Sequence, residues 1–331
     1  MSTHDGSRLL VGTRKGLFTL VRSGSTWTVD DVSFLGEPVT AVVSDADGTT
    51  YAALGTGHFG SHIWRREPGA AWTEVGAPAY PPRPDDADDV SPMTREPWPW
   101  TVQLLWSLEL GHPSRPGELW CGTIPGGLFR SPDRGDTWEL VRSLWDVPER
   151  AQWFGGGYDW PGIHSVSVDP RDPDTVLVGI SCGGAWITED AGATWTITRG
   201  MRNEYLPPDE AHEPNGQDPH RLARCASHPD TVWNQHHNGC FRSDDGGRTW
   251  TEITERAPSV FGFAVAAHPD DPDVAWFAPA TKDELRVPVD GRVVVSRTTD
   301  GGNSFEVFGD GLPDSHAYDL VYRHALDVDA D

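Results

Sequence analysis

Four closely related stretches recur along the chain: SPDRGDTW at residues 131–138, TEDAGATW at 188–195, SDDGGRTW at 243–250 and TTDGGNSF at 298–305. They share the pattern Ser/Thr-x-Asp-x-Gly-x-Thr/Ser-Trp/Phe, and we call each copy an aspartate turn. The intervals between successive aspartates are 57, 55 and 55 residues, counted over Asp133, Asp190, Asp245 and Asp300. A repeat of this length predicts an array of similar structural units.

The residues around each aspartate turn follow one layout. An apolar strand such as residues 162–169 is followed by a turn, a second strand such as 175–180, a glycine turn and a third strand that ends in the motif. A fourth strand follows the motif. Four short antiparallel strands per repeat predict an all-β protein, a β-propeller built from four-stranded blades.

The two ends of the chain bear on the number of blades. Residues 8–13 and 16–22 have the pattern of second and third strands, whereas residues 317–328 have the pattern of a first strand. If residues 317–328 pair with the first blade, the 331 residues form one domain of six blades. If the chain is truncated at Asp331, the parent protein has seven.

The aspartates of the turns are expected to be structural. A carboxylate in such a hairpin can accept hydrogen bonds from the backbone N–H groups of its own turn. The glycine permits a positive φ, and the tryptophan can pack beneath the turn or against a neighbouring blade. We assign no catalytic role to these aspartates, because four copies on four blades cannot converge on one site.

The four motif copies resemble the Asp-box, or BNR, repeats of sialidase-like propellers. Residues 10–16, 127–131 and 236–243 are also similar to bacterial and archaeal WD40/YVTN/BNR-like repeat proteins, which are often labelled sialidase or glycosyl hydrolase by fold alone. Sialidases of this type begin with an Arg-Ile-Pro element that is absent from this sequence. The resemblance therefore implies the fold, while sialidase activity is not expected.

The amino-acid composition of the chain excludes some classes of binding partner. The formal charge of −24 argues against nucleic acid and anionic membranes, because both attract basic surfaces. No stretch of about eighteen apolar residues is present, so no membrane span is predicted. The polar residues 1–8 lack the pattern of a signal peptide, and a cytoplasmic location is expected.

Two long segments precede first strands and are candidate functional loops. They are an acidic, proline-rich insertion at 77–99 and a long loop at 201–219. Polar and aromatic residues near such loops are predicted to bind a small polar ligand, in particular Arg14, Lys15, Trp106, Tyr158, Asp159, Arg221 and Arg323. Aromatic rings at these places are suited to stacking on sugars.

Histidines provide the main catalytic candidates. His164, His220 and Glu109 are predicted to act in catalysis, and His164, His220, His236 and His237 are candidate ligands of one divalent metal ion. Successive side chains of a strand point to opposite faces of the sheet, so the side chains of His236 and His237 are expected to lie on opposite faces. At most one of the two is therefore expected to bind the metal. Three interpretations stay open: a metal site, a metal-free catalytic or binding site, and histidines with structural roles only.

Two functions are compatible with this sequence. In the first, a cytoplasmic propeller binds a small carbohydrate-like ligand at the mouth of its channel and acts as a glycoside hydrolase or lyase. In the second, the propeller is a protein-interaction scaffold without catalysis. The sequence does not identify the ligand, the metal or the partner protein.

Overall fold

The computed structural model describes residues 7–85, 87, 89–155 and 158–329, and nearly all of their regular structure is β-strand. Within these residues, six antiparallel sheets follow one another along the chain, and the strands of each sheet pair in chain order. Five of the sheets have four strands. This arrangement confirms the predicted β-propeller fold.

The chain divides into two compact units, and the first comprises residues 1–151. Its three sheets contain β1 (Arg8–Thr13), β2 (Gly16–Ser23) and β3 (Thr26–Ser33); β4 (Val39–Ser44), β5 (Thr50–Gly55), β6 (Ser61–Arg66) and β7 (Thr73–Val75); and β8 (Leu104–Leu110), β9 (Leu119–Ile124), β10 (Leu128–Ser131) and β11 (Glu139–Leu140). Its helical segments are short, namely α1 (Arg142–Trp145) and 3-10 turns at Gly57–Phe59 and Pro148–Gln152, the last of which runs one residue into the second unit.

The second unit comprises residues 152–330 and contains the other three sheets. These are β12 (Ile163–Asp169), β13 (Asp172–Ile180), β14 (Gly184–Thr188) and β15 (Thr196–Ile197); β16 (Pro219–Arg224), β17 (Val232–His236), β18 (Gly239–Ser243) and β19 (Thr251–Ile253); and β20 (Gly262–Ala267), β21 (Ala275–Pro279), β22 (Val295–Thr298) and β23 (Glu306–Phe308). Two 3-10 turns lie at Pro214–Gly216 and Val289–Gly291. No helix in the described residues is long and apolar enough to cross a membrane.

The aspartate turns form the hairpins between third and fourth strands. Asp245 accepts hydrogen bonds from the backbone N–H groups of Arg248 and Thr249 at 3.0 and 2.9 Å, and from the hydroxyls of Ser243 and Thr249 at 2.7 and 2.6 Å. The turn of Asp190 has the same hydroxyl bonds, and the hydroxyl and backbone N–H of Thr194 lower the pKa of Asp190 to about 2. The carboxylates therefore remain ionised acceptors over the physiological pH range.

Trp250, the last residue of the third aspartate turn, connects two neighbouring sheets of the second unit. The indole Nε1 of Trp250 donates to the hydroxyl of Thr198 at 2.9 Å, and its backbone N–H donates to the carbonyl of Arg199. Its ring belongs to a buried cluster with Leu177, Ala185, Ile187, Met201, Leu222, Val232 and Phe241. The motif therefore closes its own hairpin and also anchors that hairpin to the preceding sheet.

The predicted strand at 317–328 is wrong. The described residues there form no regular strand, and the first sheet consists of only β1, β2 and β3. The segment instead contacts the interior of the second unit: Nε2 of His324 donates to the carbonyl of His164 at 2.6 Å, and the side chain of Arg323 is buried against Phe263. Residues 317–328 are therefore held by side-chain contacts and not by the predicted pairing with a strand of the first sheet.

The two predicted loops are ordered by aromatic and polar anchors. Within the insertion at 77–99, the described residues include buried Trp98, whose ring lies under the guanidinium of Arg150. The loop at 201–219 is held by buried Asn203, whose amide donates to the carbonyl of Gly216 at 2.7 Å. Asp86 and Asp88 of the insertion lie outside the described residues.

We expect Asp245→Ala to lower the free energy of unfolding by about 1–3 kcal/mol, because it removes four hydrogen bonds from one hairpin. Asp244→Ala is the matched control, since the side chain of this neighbour is exposed and pairs with Arg242. Its expected effect is below about 0.5 kcal/mol. Equal effects in urea denaturation would contradict a specific role for the motif carboxylate.

Candidate functional site

The second unit gathers polar side chains at the edge of its sheets where first strands begin. Asp218 ends the long loop before β16, His220 is the second residue of β16, and His237 directly follows β17. The backbone N–H of His237 donates to the carbonyl of Asp218 at 3.0 Å, which fixes these two residues side by side. A register irregularity between Pro219 and Arg221 reorients the backbone at His220.

One carboxylate oxygen is the centre of this group. Oδ2 of Asp218 lies 3.3 Å from Nδ1 of His237 and 3.5 Å from Nε2 of His220. All three atoms lie within 4.8 Å of one another. The second ring nitrogen of His237, Nε2, lies 3.6 Å from Oδ2 of Asp283. We call Asp218, His220 and His237 the histidine–aspartate cluster.

Asp218 is a buried carboxylate that stays ionised. Its other oxygen, Oδ1, accepts the backbone N–H of Cys182 at 3.1 Å and the hydroxyl of Ser181 at 3.3 Å. Burial by itself would raise the pKa of Asp218, but His220 and His237 outweigh it and hold the pKa well below its ordinary value. Cys182 presents its N–H from a backbone with φ of 50°, a conformation that is uncommon for residues other than glycine.

His220 is held from both sides. Its Nδ1 lies 2.7 Å from the carbonyl of Gly262, and its ring stacks on Phe263 at a centroid distance of 4.6 Å. Burial lowers the pKa of His220, although Asp218 opposes this shift. Because a carbonyl only accepts hydrogen bonds, Nδ1 carries a proton.

Aromatic rings surround the cluster. Tyr205 meets the ring of His237 edge-on at 5.2 Å, and Tyr322 lies 4.9 Å from Phe263. Tyr205 and Tyr322 are 45% and 52% exposed, so both offer ring surface to a ligand. The guanidinium of Arg323 lies over Phe263 at 5.6 Å; burial lowers its pKa, while the charge of Asp218 opposes that shift.

The other two predicted histidines, His164 and His236, lie outside the cluster, and their catalytic or metal-binding roles stay predictions. His164 is fully buried, and its Nδ1 lies 2.9 Å from the hydroxyl of Ser165. Nε2 of His236 accepts the backbone N–H of Asp218 at 3.0 Å, and burial lowers the pKa of His236 to about 3. The imidazole of His236 therefore holds the backbone of the aspartate, while that of His237 faces its carboxylate. Arg221 directs its guanidinium towards the carbonyl of His164 at 3.4 Å.

The remaining predicted residues are distributed more widely. Glu109 and buried Trp106 lie on β8, and exposed Arg14 and Lys15 form the turn between β1 and β2, so all four belong to the first unit. Exposed Tyr158 and Asp159 lie in a bend before β12. Within the second unit, Tyr158 interacts electrostatically with Arg323. The binding or catalytic roles of all six residues stay predictions.

Two carboxylates of the site were not among the predicted residues. Asp218 lies in the flagged loop and two positions before His220, so an Asp-x-His pattern at the start of a first strand was the available signal. Asp283 lies in the connection between β21 and β22. Nothing in its neighbouring sequence indicates that this connection reaches His237.

Comparison with known proteins points to carbohydrate-active enzymes. The chain is 27% identical over 204 residues to a probable oligoxyloglucan-reducing end-specific xyloglucanase of Neosartorya fischeri, a match that covers 52% of this chain. It is 35% identical over 95 residues, or 28% of this chain, to the corresponding xyloglucanase of Emericella nidulans. An ancestral GH74 enzyme of known structure superposes with a TM-score of 0.56 at 14% identity, over 85% of this chain and 32% of that enzyme.

These relatives are much longer proteins. The matches cover 23% of the Neosartorya protein and 11% of the Emericella protein. No protein-family model matches the chain. The structural likeness supports the propeller fold, and its low identity carries no information on activity.

Asn203→Ala should loosen the loop that supplies Asp218 without removing a group from the cluster. We expect a loss of about 1–3 kcal/mol in unfolding free energy, because a buried amide and its two partners lose their hydrogen bonds. Hydrogen exchange of residues 201–218 should accelerate. Glu210→Ala, an exposed change in the same loop, is the control and should leave exchange unaltered. Identical exchange in both variants would show that Asn203 does not anchor the loop.

Proposed function

We propose that the second unit binds a carbohydrate at the histidine–aspartate cluster and that the chain is a glycoside hydrolase. The observation that carries this proposal is the ionised, buried carboxylate of Asp218, which faces two imidazoles next to exposed tyrosine rings. The xyloglucanase relatives agree with a carbohydrate as the ligand class.

The surroundings of the cluster suit the two kinds of surface that a sugar presents. Sugar hydroxyls can donate hydrogen bonds to carboxylates such as Asp283 and exchange hydrogen bonds with the imidazole of His237. The apolar faces of sugar rings stack on aromatic side chains, and Tyr205 and Tyr322 are exposed beside the polar group. A ligand with a polar edge and a flat apolar face therefore matches the site.

Hydrolysis of a glycosidic bond needs a group that transfers a proton to or from the reacting oxygen. We assign this role to Asp283, because its side chain is 40% exposed and lies 3.6 Å from Nε2 of His237. Asp218, on the other side of the imidazole, is buried and ionised, so it positions His237. The imidazole keeps the two carboxylates apart.

Xyloglucan oligosaccharides are the first ligands to test, together with other soluble glucans as comparison. We expect binding in calorimetry and release of new reducing ends by the full chain. Asp283→Asn should retain binding and lower the rate of hydrolysis at least about 100-fold, because it removes proton transfer. His237→Ala should weaken binding itself.

His58→Gln is the control for this experiment, since His58 is an exposed histidine in the first unit. Its binding and turnover should equal those of the unaltered chain. Products with unsaturated sugar ends would show that the activity is that of a lyase and not of a hydrolase. Failure of every glycan to bind, with stoichiometric co-purification of one protein, would overturn the proposal in favour of an interaction scaffold.

A further inference from the structure

We infer that the histidine–aspartate cluster is a binding site for one transition-metal dication of the zinc class. The inference concerns the resting protein and does not depend on the proposed hydrolase activity. It rests on the distances between one ligand atom each of Asp218, His220 and His237, and on the neighbouring residues that hold these side chains.

The outer nitrogen of each imidazole faces an acceptor. Nδ1 of His220 lies 2.7 Å from the carbonyl of Gly262, and Nε2 of His237 lies 3.6 Å from a carboxylate oxygen of Asp283. A carbonyl only accepts hydrogen bonds, so Nδ1 of His220 carries a proton, and Nε2 is the nitrogen of this ring that is available to bind a metal ion. The nitrogen of His237 that lies nearest to Asp218 is Nδ1.

Nε2 of His220 and Nδ1 of His237 both face the same oxygen, Oδ2 of Asp218, at 3.5 and 3.3 Å. One atom from each of the three residues lies within 4.8 Å of the other two, so a single cation can contact all three. Metal-binding histidines in proteins usually donate their other N–H to a carbonyl or a carboxylate. His220 has such a carbonyl in Gly262 at 2.7 Å, and a carboxylate oxygen of Asp283 lies 3.6 Å from the other nitrogen of His237.

The separations agree with coordination. Two ligands that are each about 2.0–2.2 Å from a tetrahedral ion are about 3.3–3.6 Å apart. The distances from Oδ2 of Asp218 to Nε2 of His220 and to Nδ1 of His237 fall in this interval. The same distances exceed the 2.7–3.2 Å of ordinary N–H···O hydrogen bonds. The three protein ligands would leave a fourth position for water or a ligand oxygen.

The ligand types select the class of ion. Two imidazole nitrogens and one carboxylate oxygen suit Zn²⁺, Mn²⁺, Fe²⁺, Co²⁺ or Ni²⁺, whereas Ca²⁺ and Mg²⁺ prefer sites built from oxygen. A dication also compensates the buried negative charge of Asp218, whereas Asp283 already pairs with Arg286. The backbone N–H of Cys182 and the hydroxyl of Ser181 hold Asp218 from behind, so its Oδ2 is left to face the imidazoles.

The test begins with the full chain purified without a metal-affinity tag, stripped by a chelator and titrated with Zn²⁺ in a calorimeter. We expect one saturable site and a rise in the melting temperature on saturation. Co²⁺ substitution should give the visible absorption of a four-coordinate ion. A stripped chain that stays folded and shows no saturable site for Zn²⁺ or Co²⁺ would overturn the inference.

Variants separate ligands from supporting residues. His237→Gln and Asp218→Asn should abolish the one-to-one site, while Asp283→Asn should weaken it about 10–100-fold, because Asp283 only orients a ligand. His58→Gln and Asp244→Asn are the controls and should bind Zn²⁺ unchanged. If Asp218→Asn fails to fold, His237→Gln decides, since the side chain of His237 is partly exposed. Full stoichiometric binding in folded His237→Gln would show that the metal binds elsewhere.

The outcome is independent of catalysis. Zinc binding without glycan binding would retain the metal site and remove the hydrolase proposal. Glycan turnover by the stripped chain, with no Zn²⁺ site, would support the hydrolase proposal and overturn the metal site.

Discussion

The hydrogen bonds between a motif carboxylate and the backbone of its own hairpin are the constraint on which this architecture depends. Each aspartate turn fixes the hairpin between the third and fourth strands, and the third copy also ties two sheets together through Trp250. In the second unit, β16 and β20 begin close together, since Nδ1 of His220 lies 2.7 Å from the carbonyl of Gly262. His237, which follows β17, lies beside them, and the site forms there.

A buried carboxylate organises that site. Burying an ionised group is unfavourable unless it is hydrogen-bonded or paired, so the surroundings of Asp218 explain much of the local structure. The backbone of Cys182, the hydroxyl of Ser181 and two imidazoles all converge on its oxygens, and His236 holds its backbone N–H. The aromatic rings of Phe261 and Phe263 then exclude water from His220. The same features that make Asp218 tolerable in the interior make it a ligand for a cation.

Local signals in the sequence were sufficient for the blades, and long-range contacts were needed for the site. The aspartate turns predicted their hairpins because the hydrogen bonds of each motif carboxylate span four residues or fewer. His220 and His237 were predicted from strand positions, but Asp283 is far from both in sequence and reaches His237 through an irregular connection. Residues 317–328 show the same limit: they have strand periodicity, yet buried contacts made by Arg323 and His324 decide their conformation.

The central claim is that Asp218, His220 and His237 converge on a single cation. Anomalous diffraction from crystals grown with Zn²⁺, recorded on both sides of the zinc absorption edge, tests it most directly. The account predicts one strong peak about 2.0–2.2 Å from Oδ2 of Asp218, Nε2 of His220 and Nδ1 of His237. An ordered cluster without a peak, or with a proton-mediated contact of about 2.8 Å between Asp218 and either imidazole, would contradict it.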